Sequence, residues 1–162
     1  RFSAVTSQTM RRIARLMEYG ASPSVIFREL YEQSTMARMH LVGRALSRMV
    51  LDCDGQLAYL SIPWSDFEAT GAVSSDTEDL VNECLKVTGT KGAFIAIEMQ
   101  SKQVKVSFRS RSESLDVAKI AEQFGGGGHR QAAGATLSSP LPESLEKARS
   151  AMAAALAALK SN

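Results

Sequence analysis

Apolar residues recur at three- and four-residue spacing through the first third of the chain, and give way to runs and alternations after it. Met10, Ile13, Leu16 and Met17 mark one face of a helix that Thr6 or Ser7 can cap. Gly20 is its natural stop. Ser22-Pro23 restarts a helix, with proline tolerated at the first position, and Val25, Ile26, Leu30 and Tyr31 form its apolar stripe. A third helix is predicted from near Ser34, with Met36, Met39, Val42, Leu46, Met49 and Val50 in register, and Asp54-Gly55 closes this section with a turn signal. Arg11, Arg12 and Arg15 lie off the first stripe and His40 off the third, as expected of solvated faces.

From Leu57 the pattern changes. Leu57 to Ile62 is short, apolar and partly β-favouring, so a strand is predicted, closed by Pro63 and followed by a helical turn over Trp64 to Phe67. Ser74 to Asp79 is polar and acidic, and is predicted to cap a helix carrying Leu80, Val81, Cys84 and Leu85. Asp76, Glu78 and Asp79 could be a metal or acid–base set, but the helix macrodipole alone accounts for acids in a first turn. Ala93 to Ile97 is a continuous apolar run, as in a strand covered on both faces. After a turn at Gln100-Ser101-Lys102, Val104, Val106 and Phe108 alternate with Lys105, Ser107, Arg109 and Arg111. One face of this strand enters the core and the other is basic. Ser114 is predicted to cap a helix with Leu115, Val117, Ile120, Ala121 and Phe124 on its buried side, and Gly125 to end it. Ala135-Thr136-Leu137 reads as a short strand. Pro140 and Pro142 introduce an alanine-rich final helix bearing Leu145, Ala148, Met152, Ala155, Leu156 and Leu159.

Composition narrows the functional classes. The 162 residues suffice for one domain with a core, and 44% hydrophobic with 22% charged residues is globular composition. A net charge of +2 leaves no global polybasic signal, so any nucleic-acid or phosphate role must come from a local cluster. No apolar run approaches the ~20 residues of a membrane span. No signal peptide is visible after Arg1-Phe2-Ser3, and Cys53 and Cys84 sit in no CxxC pattern. A cytoplasmic protein with reduced thiols is expected. The lack of an initiator methionine suggests a piece of a longer protein.

The most unusual stretch is Gly125-Gly126-Gly127-Gly128-His129-Arg130-Gln131-Ala132-Ala133-Gly134. Four successive glycines carry a large entropy cost and are kept where positive φ or close approach requires them. A linker would mix glycine with serine, and a helix cap needs only one glycine. A P-loop would end in Gly-Lys-Ser/Thr, and no register of the run fits Gly-x-Gly-x-x-Gly. What remains is an anion-binding loop of successive amides, with His129 or Arg130 adding charge. Arg109 and Arg111 are then its natural partners, provided their strand lies beside it.

The combination of Ser107-Phe108-Arg109-Ser110, the helix with Val117-Ala118-Lys119-Ile120-Ala121, and Phe124-Gly125-Gly126-Gly127-Gly128-His129 with Ala132-Ala133-Gly134 resembles the C-terminal substrate-binding domain of DHH phosphoesterases. That domain is the DHH-associated domain of the first type. The Ala-Ala-Gly ending is more similar to the nano-RNase branch (oligoribonuclease and 3′-phosphoadenosine 5′-phosphate phosphatase) than to the cyclic-dinucleotide phosphodiesterase branch. Arg1-Phe2-Ser3 is similar to the segment joining the catalytic domain to connecting helices, although Ala4 stands where asparagine is common.

This resemblance implies an α/β fold, a mixed β-sheet of about four or five strands flanked by helices and preceded by N-terminal connector helices. Residues 1–33 would be the connector from a catalytic DHH domain and residues 34–162 the substrate-binding domain. It implies that Arg109 holds substrate phosphate or base, that the amides of Gly126, Gly127 and Gly128 bind the terminal phosphate region, and that His129 touches the scissile phosphate. Arg111 would assist, and Arg130 follows from position alone. The Mn²⁺ pair of the family belongs to the catalytic domain. This chain, with His40 and His129 as its histidines and no Asp-His-His run, is expected to bind no metal and to be inactive alone. Expected partners are short single-stranded RNA or DNA or a nucleotide phosphate, the catalytic domain of the same polypeptide, and no membrane. Two other readings stand beside it. One is an RNA-binding module like that appended to alanyl-tRNA synthetases; the other is an interaction or dimerisation module, such as a homodimer, for which the alanine-rich final helix is the only hint.

Overall fold

The computed structural model describes residues 5–159, so the Arg1-Phe2-Ser3-Ala4 resemblance lies outside the described residues. The chain divides into two units, Arg1–Thr35 and Met36–Asn162. In the first, helix α1 (Ser7–Glu18) opens with a capping box. The Thr6 hydroxyl accepts from the Thr9 amide at 3.1 Å, and the Thr6 amide donates to the Thr9 hydroxyl at 3.3 Å. Gly20, at φ 97°, provides the left-handed residue that turns the chain. Helix α2 (Pro23–Tyr31) then starts with Ser22 as cap and Pro23 in its first turn. No side chain of either helix is buried, and Leu16, Met17, Ile26, Phe27 and Leu30 line an apolar groove between them.

The second unit begins with helix α3 (Met36–Ser47), strand β1 (Val50–Asp52), strand β2 (Leu57–Ile62) and helix α4 (Trp64–Thr70). A 3₁₀ turn (Ser74–Thr77), helix α5 (Val81–Cys84), strand β3 (Gly92–Glu98) and strand β4 (Val104–Ser110) follow. Helix α6 (Val117–Glu122), strand β5 (Gly127–His129), strand β6 (Ala132–Leu137) and helix α7 (Leu141–Ala158) complete it. The six strands form one sheet in the order β1-β2-β3-β4-β6-β5. Only β2 and β3 run parallel, which makes the sheet mixed.

The α/β class is as expected, with more strands than four or five. The additional strands are the three-residue edges β1 and β5. Helix α3 stops at Ser47, so Met49 and Val50 do not extend it; Val50 pairs with Tyr59 instead. The acidic segment forms a 3₁₀ turn and a four-residue helix rather than one helix, with Asp79 at φ 62° interrupting them. Asp116, not Ser114, caps α6: its Oδ1 accepts from the amides of Ala118 and Lys119 at 3.1 and 3.5 Å.

A parallel pair must be covered on both faces, and it is. Helices α3, α4 and α5 pack on the face presenting Ala58, Leu60, Ile62, Ala93, Ile95 and Ile97. Helices α6 and α7 cover the other face, with Phe94, Val104, Val106, Phe108, Ala133, Ala135 and Leu137. Across that second face the rings of Tyr59, Phe94, Phe108 and Phe124 follow one another at centroid spacings of 5.0, 5.9 and 6.3 Å.

Candidate nucleotide-binding face

Strand pairing decides which side chains share a face, because residues opposite one another in neighbouring strands point the same way. His129 of β5 lies opposite Ala132 of β6, Ala132 opposite Arg109 of β4, and Arg109 opposite Ala93 of β3. The next row is Gly127, Gly134, Ser107 and Ile95. Gly127, His129, Lys105, Ser107 and Arg109 therefore all project from one side of the sheet. Over β2 and β3 this is the side packed against α3, α4 and α5. Over β4 it is partly walled by the segment leading into α5, and over β6 and β5 it is open: Lys105, Thr136, Gly127 and His129 are exposed, and Ser107, Arg109, Ala132 and Gly134 half-buried.

Arg109 and the glycine strand are not neighbours, since β6 lies between them. At ~4.8 Å per strand, the Arg109 and His129 backbones stand about 10 Å apart in one lateral row. Between them lie only Ala132 and Gly134, so the two side chains flank a shallow floor. The Arg109 Nη1 donates to the Phe108 carbonyl at 3.0 Å. Among the described residues, none of Lys105, Arg109 and His129 has a carboxylate partner. Arg44 and Arg48, in contrast, both pair with Asp66, and Arg149 pairs with Asp52 and Glu146.

The glycine run is more committed to the fold than an open loop would be. The amides of Gly125 and Gly126 donate to the carbonyls of Glu122 and Ala121, each at 3.0 Å, which is the Schellman pair that ends a helix. The Gly126 amide is therefore engaged within the domain and does not match the anion-binding role expected of it. Gly127 and Gly128 belong to an edge strand, where successive amides alternate between the partner strand and solvent. A continuous nest of three amides is not formed.

The remaining predicted residues lie apart. Arg111 follows the end of β4, exposed, with its amide donating to the Lys91 carbonyl at 2.9 Å. The Arg130 Nε donates to the Glu113 carbonyl at 2.8 Å, tying the β5–β6 turn to the segment before α6. Arg130 thus has a structural contact that its position in the sequence gave no sign of. Ser107 and Lys105 join Arg109 in lining a cavity of about 450 Å³ closed on its far side by Ser74–Asp79. Their alternation in β4 already put them on the polar face. Nothing in the sequence indicated that the acidic segment would form the opposite wall.

Other candidate chemistry is absent from this face. Cys84 is buried, and burial pushes its thiol up to about 11, so it is no nucleophile near neutral pH. Among the described residues, no group of three or more His, Cys, Asp or Glu side chains could hold a metal ion, so a Mn²⁺ pair has no fitting donor set in them. Among the same residues, no helix is long and apolar enough to cross a membrane.

A family model described as the DHHA1 domain matches residues 54–158. The bifunctional oligoribonuclease and PAP phosphatase NrnA of Thermus thermophilus is 31% identical over 139 residues, covering 85% of this chain and 40% of that protein. NrnA of Bacillus subtilis is 28% identical over 136 residues, covering 84% and 42%. The A-adding tRNA nucleotidyltransferase of Aquifex aeolicus is 26% identical over 148 residues, covering 90% of this chain and 17% of that protein. The crystal structure of an exopolyphosphatase-related protein from Bacteroides fragilis superposes with a TM-score of 0.85 at 24% identity, over 91% of this chain and 43% of that one; this likeness concerns the fold. The chain spans about two fifths of the length of the NrnA relatives.

Proposed function

The chain belongs to the DHHA1 domain family, and from that premise we propose that it is the nucleotide-binding part of a DHH-family phosphoesterase acting on short oligonucleotides or nucleotide 3′-phosphates. The observation that carries the reading is the open half of the sheet face. There Arg109 and His129 stand about 10 Å apart across a floor of Ala132 and Gly134, with no carboxylate among the described residues paired with either. A guanidinium and an imidazole beside a floor without bulk are suited to a flat, anionic ligand. The Arg109 guanidinium offers a fixed fork of donors to phosphate oxygens, and His129 can donate from a ring nitrogen. Cleavage is assigned to a catalytic domain of the same polypeptide, where a Mn²⁺ pair would activate water. A cytoplasmic location belongs to the same reading and is supported by the thiols Cys53 and Cys84.

The test is an NMR titration of the 162-residue chain with a 5′-phosphorylated dinucleotide. Arg109→Ala should weaken binding about 10- to 100-fold, the equivalent of one charge-assisted hydrogen bond, with the circular dichroism spectrum unchanged. Unchanged affinity would sink the proposal. Similarity to the tRNA nucleotidyltransferase favours a second reading, an RNA-binding appendage. Under that reading, folded tRNA would bind much more tightly than the dinucleotide, and binding would be insensitive to the 5′-phosphate.

A further inference from the structure

Beyond Arg109, the polar face of β4 continues through Ser107 to Lys105. Two residues along a strand advance about 6.8 Å, so Lys105 lies about 14 Å from Arg109 by backbone. It is also the position farthest from the His129 row. Lys105 is exposed, its ammonium has no carboxylate partner among the described residues, and it lines the same cavity as Arg109. The floor is partly apolar, formed by Ile95 and Ile97 of β3. The far wall is formed by Ser74, Ser75 and Thr77, which carry hydroxyls, and by the acids Glu78 and Asp79. Both Glu78 and Asp79 are exposed at its edge. The turn holding them is stiff, with the Thr77 hydroxyl donating to the Ser74 carbonyl at 2.8 Å and the Asp79 carboxylate accepting from the Asn82 amide at 2.8 Å. At about 450 Å³ the cavity lies within the ~300–1,000 Å³ range of small-molecule sites.

We propose that this cavity is a second nucleotide subsite, one unit farther along the substrate than Arg109, and that it measures substrate length. This inference rests on the functional reading above and extends it. Lys105 holds the next phosphate, while the isoleucine floor and hydroxyl wall receive its nucleoside. Glu78 and Asp79 then face whatever follows. A strand that continues must bring another phosphate towards two carboxylates, and like charges at close range oppose it. A cation on one wall and acids on the other thus favour strands that fill the cavity and end there.

The full chain is titrated with 5′-phosphorylated di-, tri- and pentanucleotides at two salt concentrations. The trinucleotide should bind about five- to tenfold more tightly than the dinucleotide. Lys105→Ala should abolish that gain, lower the salt slope for the trinucleotide by about one, and leave the dinucleotide unchanged. The double substitution Glu78→Gln with Asp79→Asn keeps the shape, since asparagine tolerates the left-handed backbone at position 79, and should strengthen pentanucleotide binding severalfold only. Equal weakening of all three lengths by Lys105→Ala would overturn the subsite, leaving Lys105 as part of a general field. So would a silent Lys105→Ala in a chain whose dinucleotide binding still depends on Arg109. If no length binds, the functional reading itself falls.

Discussion

At Gly126 a Cβ would stand 2.2 Å from the Gly134 carbonyl oxygen and 2.6 Å from the Ala135 Cβ; at Gly128, where φ is 147°, one would stand 2.6 Å from the Ala132 carbonyl oxygen. Gly125 takes the left-handed turn after α6 at φ 71°. Three of the four glycines thus have reasons inside the fold. Gly127 has none of them, for a Cβ there would meet nothing within 4 Å and its φ is not left-handed. It lies on the open face, in the row of Gly134 and Ser107. Gly126→Ala should therefore destabilise by about 2–3 kcal/mol through overpacking against backbone, whereas Gly127→Ala should leave stability within about 1 kcal/mol. Urea denaturation of the two variants checks the contrast. A loss of nucleotide affinity in folded Gly127→Ala would then mark a ligand passing over that residue, and retained affinity would remove Gly127 from the site. The sequence singled out the run as anomalous, because composition alone exposes its entropic cost. It set Gly125 apart as the helix stop but did not distinguish the other three, because the constraints on Gly126 and Gly128 depend on the approach of Ala132–Ala135, which only the folded sheet brings alongside.

Among the elements, those with a burial period of their own were legible and the three-residue edge strands were not. The β3 run and the β4 alternation carry their own burial pattern, so Ala93 to Ile97 and Val104 to Phe108 could be placed without tertiary information. Strands β1 and β5 exist because an edge was available to pair with, and Val50 reads equally well as the end of a helix stripe. The link from α3 to α4 was also invisible, being made by polar residues far apart in sequence. Asp66, only 2% exposed in α4, accepts from Arg48 Nη2 at 2.9 Å and from Arg44 Nη1 at 3.5 Å, and Arg48 Nη1 makes a further bond to it. The Arg48 hydrogen bonds hold the Asp66 carboxyl below the usual carboxylate range, against the opposing effect of burial. A carboxylate with a lowered folded pKa stabilises fully above its unfolded value, near 3.9, and loses that contribution as pH falls through the folded one. Asp66→Asn should accordingly cost about 1–3 kcal/mol at pH 7 and much less at pH 3. Equilibrium denaturation at both pH values measures the difference, and an equal cost at each would mean that packing, not the ion pair, is what the side chain supplies.

For the molecule as a whole, the sheet order is the decision that sequence reasoning could not make. Placing β6 between β4 and β5 turns an expected direct contact into two flanks about 10 Å apart, and it carries β6 and β5 beyond the strands that α3, α4 and α5 cover. Both apolar clusters draw only on residues from Ala37 onward. The two helices before them hold no fully buried residue, with Leu16 57%, Phe27 54%, Leu30 68% and Tyr31 68% exposed. A unit with its own complete core can fold alone, whereas isolated helices below ~12–15 residues are marginal in water. Helix α1 has 12 residues and α2 has 9, so neither gains enough from local hydrogen bonding. Residues 36–162 alone should thus unfold cooperatively within about 1 kcal/mol of the full chain and keep its Arg109-dependent nucleotide affinity, while residues 1–35 alone should show little helical circular dichroism. A loss of several kcal/mol in the shorter chain would instead make the apolar faces of α1 and α2 part of the domain core. A loss of affinity without a loss of stability would place a further ligand contact in the first 35 residues, where the open face by itself predicts none.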